Sequence, residues 1–145
     1  MNKFLYWLIS LTWGLPMTLV GIVVSLALLS TGHKPKRFGL TYYFEVGNGS
    51  NGYVSGCEFG PIFVVNKNAP LSLKQHEHGH GLQNLMFGPL MLILTPCSIA
   101  RYWYREYLVW SGKKKHSELP PYDSWWFEGQ ATQLGKKYFT EDNKI

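Results

Sequence analysis

Residues 71–88 read LSLKQHEHGHGLQNLMFG and contain the pattern His-Glu-x-x-His, formed by His76, Glu77 and His80. On an α-helix, residues four positions apart lie on nearly the same face, so His76 and His80 can direct both imidazoles at one ion. Glu77 can then reach a water on the open side of that ion, which is the arrangement of a zinc peptidase. His78 falls on roughly the opposite face, and we do not expect it to bind the same metal.

The residues that flank the motif predict where its helix begins and ends. Ser72, followed three residues later by Gln75, fits a capping box with Pro70 just outside it. Gly88-Pro89 predicts the end of the helix or a kink. The alternative interpretation is a helix that carries three surface or core histidines and binds no metal.

The composition favours a small membrane protein over a nucleic-acid-binding protein. The chain has 145 residues, a formal net charge of +5, 16% aromatic residues and only 16% charged residues. Its basic residues lie mostly beside apolar segments, without an interleaved nucleic-acid-binding motif. Cys57 and Cys97 are the two cysteines and form no Cys-x-x-Cys pair, so we do not expect a disulfide framework.

Residues 4–29 form an apolar run without a charged side chain, long enough to cross a hydrocarbon core as one helix with a possible kink at Pro16. We predict a membrane anchor over residues 1–33; a cleaved signal peptide is the competing interpretation. Basic residues at 34, 36 and 37 follow the run, against Lys3 before it. The positive-inside rule therefore predicts that the remainder, 34–145, lies on the cytoplasmic side.

Residues 39–46 (GLTYYFEV) and 60–65 (GPIFVV) are rich in aromatic and β-branched residues and are separated by Gly-, Asn- and Ser-rich sequence. They predict two or three short antiparallel strands, a hairpin or a meander. In zinc peptidases a strand beside the metal helix commonly binds extended substrate along its free edge, which gives residues 59–65 a candidate role. Alternatively, the strands only cover the helix.

Residues 85–100 are apolar but short for a full membrane span, and Pro89 and Pro96 interrupt them. A complete crossing would separate the motif from any metal ligand later in the chain. We therefore predict a membrane-associated segment, either re-entrant or interfacial, or else a buried core helix. A site within the membrane is the alternative arrangement.

The C-terminal stretch YDSWWFEGQATQLGKKYF, residues 122–139, predicts a helix capped by Asp123 or Ser124. A catalytic zinc site has three protein ligands, and Glu128 is the best candidate for the third. It shares a helical face with the small residues at 131, 132 and 135, which would allow close approach to the motif helix. The alternative is that Glu128 lies on the solvent side of this helix.

Other polar residues are weaker candidates for roles in the site. Gln83, one turn after His80, is a candidate to orient a ligand. Either of two tyrosines could donate a hydrogen bond to an oxyanion, and three further residues are weaker ligand candidates than Glu128. These are Tyr122 and Tyr138, and His116, Asp123 and Asp142.

Three motifs in order, GPIFVV, HEHGHGLQNLMFGPLMLILTPCS and WWFEGQATQLG, resemble those of small, largely uncharacterised bacterial membrane proteins. Their pattern runs Leu-Gly-Pro-Phe, His-Glu-Tyr-Gly-His-x-x-Gln with a Gly-Pro-Leu tail and a Pro-Ser, then Glu-x-x-Ala-x-x-Leu-Gly. The resemblance implies a zincin-like metallopeptidase with His76, Glu77, His80 and Glu128 in its site, and a bacterial inner-membrane location. Two departures are His78, in place of the usual aromatic residue, and the lack of a Trp before Ala131.

These observations predict an α+β membrane protein: an N-terminal transmembrane helix, short antiparallel strands, the motif helix, a proline-interrupted apolar segment and a C-terminal helix. We expect a Zn²⁺-dependent peptidase with His76, His80 and Glu128 as ligands and Glu77 as general base. Its partners would be membrane lipid and a peptide or protein substrate, not nucleic acid; no oligomeric state is predicted. The alternative is a non-catalytic membrane adaptor or binding protein, either stabilised by zinc with a fourth ligand such as His116 or Asp123, or free of metal.

Overall fold

The computed structural model describes residues 2–47 and 55–139. This part of the chain is a mixed α+β structure with five α-helices and one four-stranded sheet, which confirms the expected class. The helices are α1 (Lys3–Ser10), α2 (Leu15–Ser30), α3 (Leu71–Phe87), α4 (Met91–Trp110) and α5 (Trp126–Tyr138). The strands are β1 (Lys36–Phe38), β2 (Thr41–Val46), β3 (Gly56–Phe59) and β4 (Ile62–Asn66).

The sheet has the strand order β1-β2-β4-β3 and is not wholly antiparallel as expected. β1 pairs antiparallel with β2, and β3 antiparallel with β4, but β2 and β4 run parallel. β3 turns into β4 through Gly60-Pro61, where Gly60 has a φ of 69°. Because β3 pairs on the outer side of β4, the inner side of β4 is left for β2, and this pairing is parallel.

One face of the sheet packs against α3 and the end of α5. Tyr43 and Phe63 stack with ring centroids 5.3 Å apart, and Phe38 stacks on Phe139 at 3.9 Å. Val65 is buried in the same apolar cluster, against which Leu73 of α3 packs. Since cross-strand pairs bring side chains onto a shared face, β3 and β4 together present their inward residues to α3.

α3 and α5 approach so closely that glycine is required at two points of contact. A Cβ at Gly79 would collide with the backbone carbonyl of Ala131, and one at Gly135 would collide with the carbonyl of Gln75. The prediction that small residues on α5 allow close approach to the motif helix is therefore confirmed. This packing brings Glu128, one turn before Ala131, against α3.

The ends of α3 and α5 differ partly from the predicted ones. α3 ends at Gly88 as expected, with a φ of 52°. The prediction of a capping box is wrong. The helix begins at Leu71, and the Gln75 side chain donates to the Phe139 carbonyl, 3.1 Å away. α5 begins later than predicted, because Trp125 occupies the N-cap position in place of Asp123 or Ser124.

The N-terminal apolar run forms two helices, so the expectation of one long helix is wrong. α1 and α2 are bent by 97° at the break between them. Pro16 lies in the first turn of α2, where its missing N–H is tolerated, and the chain turns just before it. α1 then packs on the rest of the chain: the Trp7 indole donates to the Leu40 carbonyl at 3.1 Å, and the Tyr6 hydroxyl donates to Gly81 at 3.3 Å.

The apolar segment after the motif also differs from the expectation. Residues 85–100 include the end of α3, a short turn of 3-10 helix at Gly88–Leu90 and the first half of α4. Pro96 does not interrupt α4, which continues to Trp110; this proline lies on an exposed side of the helix.

Among the described residues, one helical stretch, Leu71–Trp110, is long and apolar enough to cross a membrane. Only 39% of its most apolar window is buried in the protein, and the core helix of a soluble protein can meet the same criterion. The α1–α2 pair meets it only when the two bent helices are counted as one span. The division into an anchor at 1–33 and a metal-binding domain at 34–145 stays a prediction.

Candidate metal centre

Three side chains from α3 and α5 converge at the centre of the protein. The Nε2 atoms of His76 and His80 lie 3.1 Å apart, and Glu128 Oε2 lies 2.9 Å from the first and 3.3 Å from the second. His76 and His80 share a face of α3, as the four-residue spacing requires. These three residues can hold a metal ion, and they are the group that the sequence analysis singled out as ligands.

Hydrogen bonds to the other ring nitrogens fix how the two imidazoles are presented. His76 Nδ1 lies 2.9 Å from the Thr132 hydroxyl, and His80 Nδ1 lies 2.7 Å from Gln83 Oε1. Gln83 Nε2 donates to the Phe127 carbonyl at 2.8 Å, so its Oε1 faces His80 and accepts the Nδ1 proton. The Nε2 atoms of both histidines are thereby the ring atoms that face Glu128. Gln83 thus contacts His80 as predicted.

Glu128 is 1% exposed and is held by partners on both carboxylate oxygens. Burial works against its ionisation, but hydrogen bonds with His76 and His80 outweigh this effect and lower the pKa of Glu128. Ser98 of α4 donates to Glu128 Oε1, leaving Oε2 to face the histidines. A carboxylate is therefore the stable form of this side chain in the site.

Tyr122 continues this hydrogen-bonded chain toward the surface. Its hydroxyl lies 3.0 Å from Ser98 Oγ, and because the Ser98 proton is given to Glu128, Tyr122 is the donor in this contact. Burial raises the pKa of Tyr122 to about 12, so the hydroxyl stays protonated at neutral pH. Tyr122 lines the same cavity as the ligands, whereas Tyr138 is not among its lining residues. The geometry thus favours Tyr122 over Tyr138 as an oxyanion donor.

Glu77 lies next to the three converging side chains, between α3 and the edge of the sheet. It is 4% exposed and lines the cavity together with His76 and His80. A Cβ at Gly56 would collide with the Glu77 carboxyl group, so β3 approaches this acid as closely as a backbone can. Glu77 therefore lies beside the three candidate ligands and against β3.

The remaining sequence candidates lie apart from the three ligands. His78 is buried against Phe38 and Phe139 on the other side of α3, with ring centroids 6.0 Å and 5.9 Å away. His116 lies in an exposed 3-10 turn, and Asp123 is exposed at the rim of the cavity. Asp142 lies outside the described residues. In the described ranges, the group that can hold a metal contains three residues and no fourth His, Cys, Asp or Glu.

The cavity above the ligands has a volume of about 640 Å³ and lies between β3 and α4. Ser55 to Glu58 form one wall, and Thr95, Ile99 and Trp103 lie on the other. In the described part of the chain β3 pairs only with β4, so its outer edge is the one beside this cavity. Residues 59–65 were predicted to offer a free edge, but β4 is paired on both sides, so the free edge beside the cavity is that of β3.

Sequence reasoning missed Glu58, a second acid in the cavity wall. It is 3% exposed; the Gly60 N–H donates to its Oε1, while its Oε2 has no hydrogen-bond partner. Burial raises the pKa of Glu58 to about 8. A single acidic residue in a short strand has no characteristic sequence spacing. Glu58 is recognised only in the folded chain, where the pairing of β3 with β4 turns its side chain toward α3.

No protein-family model, curated protein or solved structure matches this chain.

Proposed function

We propose that the protein is a membrane-anchored zinc metallopeptidase, with His76, His80 and Glu128 as the zinc ligands and Glu77 as the general base. The observation that carries this proposal is the triangle of two Nε2 atoms and one carboxylate oxygen beside a buried glutamate. The His-Glu-x-x-His spacing points to His76, Glu77 and His80, and in the folded chain Glu128 joins the two histidines.

The three ligand atoms fit Zn²⁺ in both chemistry and distance. In a tetrahedral site with bonds of about 2.0–2.1 Å, neighbouring ligand atoms lie about 3.3 Å apart. The three separations in the protein are 2.9, 3.1 and 3.3 Å. Two imidazoles and one carboxylate are also the ligand set of many catalytic zinc sites, and each imidazole here has the outer hydrogen bond that such ligands require.

An open fourth position favours catalysis over a purely structural role. A structural zinc site is closed by four protein ligands, whereas a catalytic site has three. Neither His116 nor Asp123, the predicted fourth ligands of a zinc-stabilised adaptor, belongs to the group that can hold the metal. The adjoining cavity supplies room for a water and a substrate at the open position.

The protein's own residues would divide the work of peptide hydrolysis. A bound Zn²⁺ would polarise the scissile carbonyl and bring the pKa of a bound water toward neutrality. Glu77 accepts the proton of the attacking water and passes it to the leaving amine. Tyr122, which lines the cavity, would turn its O–H from Ser98 to the developing oxyanion and donate a hydrogen bond to it. The outer edge of β3 binds the extended substrate through backbone hydrogen bonds.

Apolar surface on two helices supports attachment to a membrane. Val23 and Leu26 of α2 and Trp103 and Trp110 of α4 are each more than half exposed, which is costly in water. Lysines at 113, 114 and 115 follow α4, and basic residues at 34, 36 and 37 follow α2. With the positive-inside rule, this distribution supports an integral protein of the bacterial inner membrane with its site on the cytoplasmic side.

The peptidase proposal is tested by Glu77→Gln in the full chain, purified in a mild detergent. Glutamine keeps the shape of the side chain but cannot accept a proton, so we expect unchanged zinc content with turnover reduced about 10²–10⁴-fold or more. Glu45→Gln, a change of the same kind on β2, where the carboxylate pairs with Lys36 and does not line the cavity, is the matched control. Hydrolysis of a peptide library followed by mass spectrometry measures the effect, and wild-type turnover by Glu77→Gln would refute the assigned role.

A further inference from the structure

Two buried polar atoms in the cavity wall have no hydrogen-bond partner. They are Oε2 of Glu58, in a residue that is 3% exposed, and Oγ1 of Thr95, in a residue that is 8% exposed. Both residues line the cavity that contains the metal ligands. Buried polar atoms are nearly always paired, and two unpaired ones in the same cavity indicate a place where a ligand supplies the missing partner.

These two atoms belong to a part of the cavity that the fold closes off. Next to Glu58, the backbone of α2 packs on the strand, because a Cβ at Gly21 would collide with the Phe59 carbonyl. Met17, Met91 and Phe127 form a buried apolar cluster against which Phe59 and Leu94 pack. The groove along β3 therefore stops just beyond Glu58.

Among the residues that the structure describes, the other end of the groove is open. Ser55 and Gly56 are exposed there, and so is Asp123 on the opposite rim. Trp103, which also lines the cavity, is 64% exposed. Between the described residues, an extended peptide can thus leave the groove in one direction only, past the start of β3.

The direction of the strand decides which end of a peptide reaches the closed end. β3 runs from Gly56 toward Phe59, that is, from the open end to the closed end. A peptide that adds antiparallel to β3 runs the opposite way and has its amino terminus beside Glu58. Antiparallel pairing is the more favourable arrangement for a single added strand.

Building on the proposed peptidase function, we propose that Glu58 and Thr95 bind the free α-ammonium group of the substrate, which makes the enzyme an aminopeptidase. The ammonium donates to Glu58 Oε2 and Thr95 Oγ1 and so satisfies both unpaired atoms. The first peptide bond then lies at the metal ligands. Its C–N bond breaks, the carbonyl carbon gains the oxygen of water, and Glu77 carries a water proton to the departing amine.

The charges around the closed end fit an ammonium and not a carboxylate. Capture of a peptide carboxylate requires a cation, but the one arginine or lysine among the described lining residues is Arg105. Arg105 lies in the second half of α4, toward the lysines at 113–115, and packs over the Tyr122 ring. Burial raises the pKa of Glu58 to about 8, with the charge of His80, the hydrogen bond from Gly60 and the nearby Thr95 hydroxyl opposing the shift; a bound ammonium would favour the carboxylate.

A binding experiment tests the ammonium site without requiring turnover. L-Leucinamide and 4-methylpentanamide differ only in the amine, and their affinities for the zinc-loaded full chain can be compared by calorimetry. We expect wild type to bind L-leucinamide at least tenfold more tightly, as suits a charge-assisted hydrogen bond. Glu58→Gln should lose this preference while its zinc content stays at the wild-type value, and Glu45→Gln should keep it.

Cleavage of paired peptides provides a second measurement on the wild-type chain alone. One peptide has a free amino terminus, and its twin is N-acetylated. We expect release of the first residue from the free peptide and no cleavage of the acetylated one. An equal preference for L-leucinamide in wild type and Glu58→Gln, or internal cleavage of the acetylated peptide, would overturn the ammonium site.

The two proposals fail in different ways. If the amine preference depends on Glu58 but neither peptide is cleaved, the ammonium site stands and the peptidase function fails. If the acetylated peptide is cleaved and Glu77→Gln abolishes that cleavage, the peptidase function stands and the ammonium site fails.

Discussion

The two faces of α3 carry histidines in opposite situations. On one face, His76 and His80 have every ring nitrogen engaged, with the Nδ1 atoms bonded to Thr132 and Gln83. On the other face, His78 packs among aromatic rings, its Nδ1 has no partner, and its Nε2 receives only a long contact of 3.5 Å from the Leu40 N–H. The same residue type therefore forms a polar cluster at one position and part of an apolar core two residues away.

The partners of a histidine, and not its presence in a motif, thus determine what it can do. A metal-binding imidazole needs an acceptor for its outer N–H and a second ligand within about 3.3 Å. His76 and His80 have both, whereas His78 has neither. Substitutions on each face of α3 test this difference between the histidines.

The largest effect is expected from removing a ligand. His80→Ala and Glu128→Ala each leave two ligands, so we expect zinc affinity to fall by well over the roughly hundredfold typical of losing an outer partner. His78→Ala, on the opposite face, should retain wild-type affinity. Competition with a chromogenic chelator measures all three variants. Equal affinity in His80→Ala and His78→Ala would remove the distinction between the faces.

A smaller effect is expected when only the outer partner changes. Gln83→Leu removes the acceptor that orients His80, and we predict a loss of zinc affinity of about 10- to 100-fold. The neighbouring Leu82→Ala, which also changes a buried side chain but touches no ligand nitrogen, is the control for stability. A Gln83→Leu variant with wild-type affinity would show that the hydrogen bond at 2.7 Å does not hold the ring.

The helix contact that brings Glu128 to the histidines can be tested by Gly79→Ala. The added Cβ meets the Ala131 carbonyl, so α3 and α5 must separate. We expect the free energy of unfolding to fall by about 1–3 kcal/mol, the usual cost of overpacking, and zinc binding to weaken. Gln133→Ala, on the exposed side of α5, should change neither quantity. Chemical denaturation monitored by tryptophan fluorescence gives the stability, and a stable Gly79→Ala variant would contradict the close contact.

The smallest effect is expected from His78→Phe. Phenylalanine keeps an aromatic ring against Phe38 and Phe139 and removes a buried nitrogen that has no partner. The long contact with the Leu40 N–H is lost in exchange, so we predict a change in the free energy of unfolding within about 1 kcal/mol. Zinc content should be unchanged. Loss of zinc from this variant would assign His78 to the metal-binding face.

The site was largely predictable from the sequence, because its geometry depends on helix periodicity. The four-residue spacing of His76 and His80 fixes their shared face, and the small residues near Glu128 indicate a close helix contact. Gln83 follows His80 at a spacing that brings the two side chains together. Each of these features depends on the geometry of one helix or on one contact between two helices, and all of them are present in the structure.

The features that were missed depend on contacts between distant parts of the chain. The parallel pairing of β2 and β4 arises because β3 takes the outer side of β4, which strand propensity does not reveal. The bend between α1 and α2 accompanies packing of Tyr6 and Trp7 against residues far along the chain. Glu58 is turned toward the candidate ligands by the hairpin of β3 and β4. None of these follows from the periodicity of a single segment.

The most direct test of the metal centre counts the imidazoles bound to zinc. X-ray absorption at the zinc edge of the purified full chain resolves histidine, oxygen and sulfur ligands. We predict two imidazoles with the remaining ligands oxygen, from Glu128 and solvent, and the same spectrum for His78→Phe. A third imidazole that disappears in His78→Phe, or a sulfur ligand from Cys57 or Cys97, would contradict the division of α3 into a metal-binding face and an apolar face.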